Sequence, residues 1–142
     1  HLDPERNILH IVNSKENKSR FVLIPDFLIS LLQEYDQRIG ITSGYMLRQL
    51  RDSECPLTSN TVKMIFQDLK ISTGIDRIHA HLLRHTFAIS YLIGGGNLEF
   101  LRVFLGHYDY AATKTYVAMA AQMKLLGAPV YQLDPIFFQR GY

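Results

Sequence analysis

The spacing of hydrophobic positions changes once along the chain. Over residues 7–12 apolar and polar side chains alternate, and residues 20–24 form a second short apolar run. Turn-forming polar residues fill the segment between them, 13–17. An alternating segment and a short apolar run on either side of a polar turn are typical of a β-hairpin. We therefore predict an antiparallel hairpin with Lys15 in its turn.

Beyond Pro25 the apolar positions recur with a helical period. Side chains that cap helix N-termini precede these runs, and glycines end most of them. The predicted helices cover residues 26–40, 59–74, 81–93, 98–106 and 110–126, with Thr58 or Ser59, Asn97 and Asp109 as caps. Residues 40–58 show no clean period. A small sheet followed by helices indicates an α+β fold that is mainly helical, with the stripes Leu98, Leu101, Leu105 and Phe66, Leu69 in its core.

Composition narrows the class of protein. A chain of 142 residues with 47% hydrophobic and 20% charged residues is typical of one globular domain, 1–142. The chain has no apolar run of 18 residues, which argues against a membrane span. Its single cysteine, Cys55, predicts a reducing compartment, and the cytoplasm is the default location. A net charge of +2 permits an anionic partner without requiring one.

Four of the six histidines, His79, His81, His85 and His107, fall within 29 residues. His81 and His85 are four apart on a predicted helix, a spacing that zinc sites use. The residues between them are Leu82, Leu83 and Arg84, so the glutamate of helical zinc proteases is missing and a cation stands in its place. Zinc binding is therefore the weaker interpretation of this cluster.

The stronger interpretation joins three motifs. Arg84 follows His81 by three residues, His107 follows Arg84 by 23, and Tyr116 follows His107 by nine. The strings HLLRHTFA, LGH and TKTYVAMA resemble the catalytic domain of the tyrosine recombinase (phage integrase) family, whose motifs are HxxRH, LGH and a tyrosine nine residues beyond. The segment NSKENKSRFVLIP resembles the sheet turn of that family, with Lys15 at its lysine position. The resemblance extends from the hairpin to beyond Tyr116.

The resemblance implies that the protein cuts and rejoins double-stranded DNA at specific sites through a 3′-phosphotyrosine, as a homotetramer on DNA. Tyr116 would be the nucleophile, Arg84 and His107 would stabilise charge on the phosphate, and His81 would assist the proton transfer from the tyrosine or contact the phosphate. Lys15 would protonate the leaving oxygen, with Lys18 as its alternative. Neither metal nor cofactor is expected. His85 fits a buried structural hydrogen bond better than a catalytic role, and spacing disfavours Tyr108 and Tyr110 as nucleophiles.

The chain departs from the family in ways that keep alternatives open. The first catalytic arginine of the family precedes the hairpin, and no residue before Asn7 matches it. Because the chain begins with His1, we expect a piece of a longer polypeptide, with that arginine and a DNA-binding domain upstream. Two other departures are Leu82, where an acidic residue is common, and the Tyr108–Tyr110 segment. A DNA-binding remnant without cleavage activity, or a type IB topoisomerase-like enzyme, remains possible.

The C-terminal tail is rich in large apolar side chains that a solvated terminus would not expose. They are Val130, Tyr131, Leu133, Ile136, Phe137 and Phe138. In the family that this chain resembles, such segments pass between the subunits of a tetramer. We therefore expect the tail to dock onto a neighbouring protomer in the working assembly.

Overall fold

A computed structural model of the chain describes residues 1–12, 19–40, 44–45, 47–49, 52–129 and 131–139. Its elements confirm the expected α+β class. They are β1 (Leu2–Asp3), β2 (Ile8–Ile11), β3 (Arg20–Leu23), α1 (Asp26–Ile39), β4 (Arg48–Gln49), β5 (Asp52–Pro56), α2 (Ser59–Thr73), α3 (Ala80–Ile93), α4 (Leu98–Leu105), α5 (Tyr110–Leu125) and α6 (Ile136–Gln139). The chain divides into two compact units, one of His1–Ile29 with His85–Tyr142 and the other of Ser30–Arg84.

The first unit contains a three-stranded antiparallel sheet in the order β1-β2-β3. Strands β2 and β3 are the predicted hairpin, and Leu9 pairs with Leu2 on one side and with Val22 on the other. Strand β1 was not predicted, because two residues are too short to show alternation. The chain turns into β2 at Asn7, whose φ of 59° lies in the left-handed region that asparagine tolerates. Lys15 and Lys18 lie outside the described residues.

The core of the first unit is built from the sheet, α3, α4, α5 and α6. Its buried members are Leu23, Ala88, Tyr91, Leu101, Leu105, Tyr116 and Phe137. Leu101 and Leu105 confirm the predicted stripe on α4, and Leu101 is fully buried. On α5 the buried residues are Thr113, Tyr116 and Ala120, three and four apart, so one face of that helix points inward. The candidate nucleophile thus belongs to the packed interior.

The C-terminal segment packs on the core of its own chain. Phe137 of α6 lies edge-on against Phe87, with ring centroids 5.2 Å apart, and against Phe104 at 5.8 Å. Phe138 stacks on Tyr91 at 5.3 Å. In the single chain Phe137 and Phe138 therefore dock in cis, whereas Tyr131 is 70% exposed and Val130 lies outside the described residues. Exchange of the tail between protomers remains a prediction about the assembly.

The second unit contains an antiparallel pair of short strands and helix α2. Strands β4 and β5 lie within the segment that showed no period, and Arg48 pairs with Pro56. Helix α2 begins after Thr58, whose side chain accepts the backbone N–H of Thr61, as predicted for its cap. The prediction that its apolar stripe is core was wrong. No residue of α2 is buried: Phe66 is half-buried and Leu69 is 37% exposed.

Candidate active site

The link between α4 and α5 fixes the backbone of His107. Helix α4 ends at Gly106, whose φ of 72° is left-handed, and the N–H of His107 donates to the carbonyl of Arg102 at 3.0 Å. The Arg102 guanidinium donates in return to the carbonyls of His107 at 3.1 Å and Tyr108 at 3.3 Å. His107 is therefore held from both sides of its peptide.

Arg102 is itself anchored by an ion pair. Its guanidinium contacts the Glu99 carboxylate at 2.5 Å, and the Tyr110 hydroxyl donates to the same carboxylate. The hydrogen bond from Arg102, followed by the one from Tyr110, lowers the pKa of Glu99 to about 2. The hydrogen bond that the Tyr110 hydroxyl donates to Glu99 raises the pKa of Tyr110. Tyr110 thus braces the link between helices, and with Tyr108 (82% exposed) it lies at the surface rather than in a core.

The ring of His107 meets two residues of α5. Its Nδ1 lies 2.9 Å from Oγ1 of Thr113, and its ring stacks parallel to that of Tyr116 with a centroid distance of 6.1 Å and an interplanar angle of 6°. Thr113 is fully buried. The structure therefore brings His107 and Tyr116, two of the predicted site residues, into direct contact through a face that also carries a threonine.

Tyr116 has a second histidine at its hydroxyl. Nδ1 of His85 lies 2.7 Å from the Tyr116 oxygen, and the two rings are tilted by 51°. Tyr116 is only 4% exposed, and His85 is half-buried. His85 makes the structural hydrogen bond that the sequence favoured, and its partner is the candidate nucleophile itself.

His81 and Arg84 lie in the first half of α3, in the unit formed by Ser30–Arg84. That helix begins after His79, whose Nδ1 accepts the backbone N–H of Leu82 at 3.1 Å. His79 is thus a helix cap, which accounts for one histidine of the cluster. The side chain of His81 is exposed and that of Arg84 is half-buried.

The remaining expectations meet the structure in different ways. Lys15, the fifth predicted site residue, lies outside the described residues. Across the described ranges, no three histidine, cysteine or acidic side chains converge to hold a metal ion. Within the same ranges, no helix has both the length and the apolar character needed to cross a bilayer.

Sequence reasoning missed Thr113. A threonine within a helix rich in alanine is unremarkable by composition, because its hydroxyl ordinarily bonds to its own helix or to water. The one available signal is its position three residues before Tyr116, which places both on one face of α5. Its partner, His107, could be identified only from the packing of α4 against α5.

Comparisons with known proteins identify the family of the chain. The sequence profile of the phage integrase family matches residues 1–123. The chain belongs to the phage integrase family. It is 29% identical over 116 residues to tyrosine recombinase XerC of Staphylococcus epidermidis, an alignment that covers 78% of this chain and 38% of that protein. It is 28% identical to tyrosine recombinase XerA of Thermococcus onnurineus, covering 85% of this chain and 43% of that one.

A solved structure shares the fold of this integrase-family chain. The crystal structure of XerA recombinase superposes with a TM-score of 0.73 at 28% identity, covering 92% of this chain and 50% of that one. The chain therefore spans about two fifths of the curated relatives XerC and XerA and half of the solved one.

Proposed function

We propose that this chain is the catalytic part of a tyrosine recombinase that cuts and rejoins double-stranded DNA at specific sites. The observation that carries the proposal is the Tyr116 cluster. A tyrosine at the family's spacing from an LGH histidine contacts that histidine and a second one, His85. The match to the phage integrase family over residues 1–123 supports the same chemistry.

In the proposed reaction the Tyr116 oxygen attacks the scissile phosphorus. A bond forms between the tyrosine and the 3′-phosphate, the bond from phosphorus to the 5′-oxygen breaks, and Lys15 gives that oxygen a proton. The phosphotyrosine conserves the energy of the phosphodiester. A second 5′-hydroxyl can therefore reverse the step without an external energy source.

Charge that develops on the phosphate needs donors already in place. We assign this task to Arg84 and His107. The planar fork of an arginine can bind two phosphate oxygens, and His107 would donate one hydrogen bond. His81 would assist proton transfer from the Tyr116 hydroxyl or contact the phosphate. The two hydrogen bonds between Arg102 and the His107 peptide support the role of His107. A phosphate donor must already be in position and must not reorganise during the reaction.

A buried hydroxyl cannot reach DNA. At 4% exposure Tyr116 must turn outward and exchange its hydrogen bond with His85 for the scissile phosphate. The conformation described is thus the one that precedes DNA engagement in the proposed mechanism. Breaking a buried hydrogen bond costs on the order of 1–3 kcal/mol, which contacts with the DNA backbone can repay.

Covalent trapping tests this proposal. A nicked duplex that loses its 5′ fragment on cleavage should become attached to the intact protein through Tyr116. Tyr116→Phe should abolish the adduct while DNA binding persists. Tyr108→Phe is a matched control, because it removes a tyrosine hydroxyl next to His107 in sequence from a side chain that is 82% exposed.

Each outcome separates the candidate functions. An adduct that survives Tyr116→Phe would overturn the choice of nucleophile. DNA binding without any adduct from the unmodified protein would favour the DNA-binding remnant. Relaxation of a supercoiled plasmid that carries no recombination site would favour a topoisomerase-like enzyme. Joining of two site-bearing duplexes supports the recombinase.

We also propose that the working form is a homotetramer on DNA. Exchange of two duplexes requires four strand cuts, and each chain offers one candidate nucleophile. The aromatic tail supports contact between copies, because exchanging an identical element between protomers costs little. Truncation after Gly127 should leave cleavage of single sites measurable while reducing complexes on paired sites. Unchanged pairing would rule out a role for the tail in assembly.

A further inference from the structure

Packing alone does not require a hydroxyl at Thr113. The side chain is fully buried on α5, and valine has nearly the same shape. Burying a hydroxyl without a partner is unfavourable, so a buried hydroxyl at this position needs a hydrogen bond. The Thr113 hydroxyl lies 2.9 Å from Nδ1 of His107.

The direction of that hydrogen bond decides what His107 can do. A neutral imidazole carries its proton on one ring nitrogen and accepts at the other. If Thr113 donates to Nδ1, the proton sits on Nε2, and Nε2 becomes a donor. If instead Nδ1 donates to Thr113, Nε2 presents a lone pair, which a phosphate oxygen repels.

We infer that Thr113 is a positioning residue, whose hydroxyl donates to Nδ1 of His107 and holds the ring in the tautomer with its proton on Nε2. This inference rests on the proposed function, in which His107 donates a hydrogen bond to the scissile phosphate. It extends that function to a residue that never touches DNA.

The surroundings of His107 explain why one hydrogen bond suffices. Its peptide is fixed by bonds to and from Arg102, and its ring plane is fixed by parallel stacking on Tyr116. One rearrangement keeps the ring in the same plane: a 180° rotation about the Cβ–Cγ bond, which interchanges nitrogen and carbon positions. The bond from Thr113 to Nδ1 selects one of the two orientations.

Nuclear magnetic resonance tests the tautomer on this chain without any DNA. Long-range proton–nitrogen correlations distinguish a protonated ring nitrogen from an accepting one. The His107 signals, assigned by their loss in His107→Gln, should show a protonated Nε2 and an accepting Nδ1 at a pH where the ring is neutral. A protonated Nδ1 in the unmodified chain would overturn the inference directly.

Variants test the consequence for the reaction. In the intact protein, Thr113→Val should slow single-turnover adduct formation at saturating nicked DNA by about 10-fold, the effect of about 1.4 kcal/mol in a barrier. The DNA dissociation constant should not change. Thr113→Ser keeps the hydroxyl and should recover most of the rate and the original tautomer.

A double variant separates positioning from a general structural effect. If Thr113 acts through His107, adding Thr113→Val to His107→Ala should slow the reaction little further. An equal 10-fold loss in both backgrounds would show that Thr113 acts elsewhere, and the inference would be wrong. If the unmodified protein forms no adduct, the proposed function fails, while the resonance measurement still decides the role of Thr113.

Discussion

Replacing Phe137 with alanine measures how strongly the C-terminal segment is held by the core of its own chain. Phe137 is 9% exposed and lies edge-on against Phe87 and Phe104, an arrangement that aromatic rings favour. Leu133 and Ile136 pack against the same core. The substitution removes a side chain of α6 that belongs to the buried cluster.

The fold sets an upper limit to the free energy of unfolding that Phe137→Ala can remove. Truncating a fully buried phenylalanine to alanine costs about 3–5 kcal/mol where the surrounding structure cannot give way. Helix α6, at Ile136–Gln139, is one turn long and near the chain end, so it can detach once its contacts weaken. The loss therefore cannot exceed the free energy with which the segment docks. We expect Phe137→Ala to lower the free energy of unfolding by about 3 kcal/mol, close to the loss on truncation after Gly127.

Urea unfolding followed by circular dichroism measures this change. The matched control is Phe138→Ala, because Phe138 is on the same turn but 41% exposed, and its loss should be less than half as large. Unfolding of the unmodified chain should not depend on its concentration over a tenfold range. A loss below about 1 kcal/mol for Phe137→Ala, the size of a surface substitution, would refute cis docking. Stability that rises with chain concentration would do so too, because it would indicate exchange between copies.

Two further predictions concern buried contacts. A β-carbon at Gly96 would overlap the ring of Tyr91, whereas one at Gly95 would meet no atom within 4 Å. Gly96→Ala should therefore destabilise the chain by about 3 kcal/mol through overpacking. Gly95→Ala should cost about 1 kcal/mol, because its φ of 88° is left-handed. Equal losses in thermal unfolding would contradict the contact of Gly96 with Tyr91. His85→Leu should cost about 1–3 kcal/mol by leaving the Tyr116 hydroxyl unsatisfied. His85→Asn should cost less, and urea titrations of the two variants can compare the losses.

Local chemistry made the helices predictable. Thr58, Asn97 and Asp109 each accept the backbone N–H three residues on, as expected of N-terminal caps. Such bonds need only neighbouring residues, so their signal is present in the sequence. Strands β4 and β5 gave no comparable signal, because their pairing is a backbone interaction between short polar segments. The prediction that the apolar stripe of α2 is core was wrong, because a periodic pattern does not reveal which element covers the stripe.

The candidate site likewise contains residues that the sequence predicted and contacts that it did not. His107 and Tyr116 were found by motif spacing, and the structure brings them together. The bond from His85 to Tyr116 joins α3 to α5 across 31 positions, and neither residue signals the other. Thr113 escaped notice because a hydroxyl inside a helix becomes informative only when its burial is known. Tertiary packing decides these contacts, and single-sequence patterns do not record it.

The nine-residue spacing from His107 to Tyr116 has a physical basis in the start of α5. Asp109 caps the helix directly after the link that carries His107, so the helical phase of every later residue is set from that point. Each residue advances the helix by about 100°, which places Thr113 and Tyr116 on its buried face, one turn apart. From there Thr113 meets His107 and Tyr116 meets His85. One residue inserted between Thr113 and Tyr116 would rotate the tyrosine by about 100° and remove it from both histidines. The spacing therefore keeps Tyr116 and His107 in register through the geometry of a single capped helix.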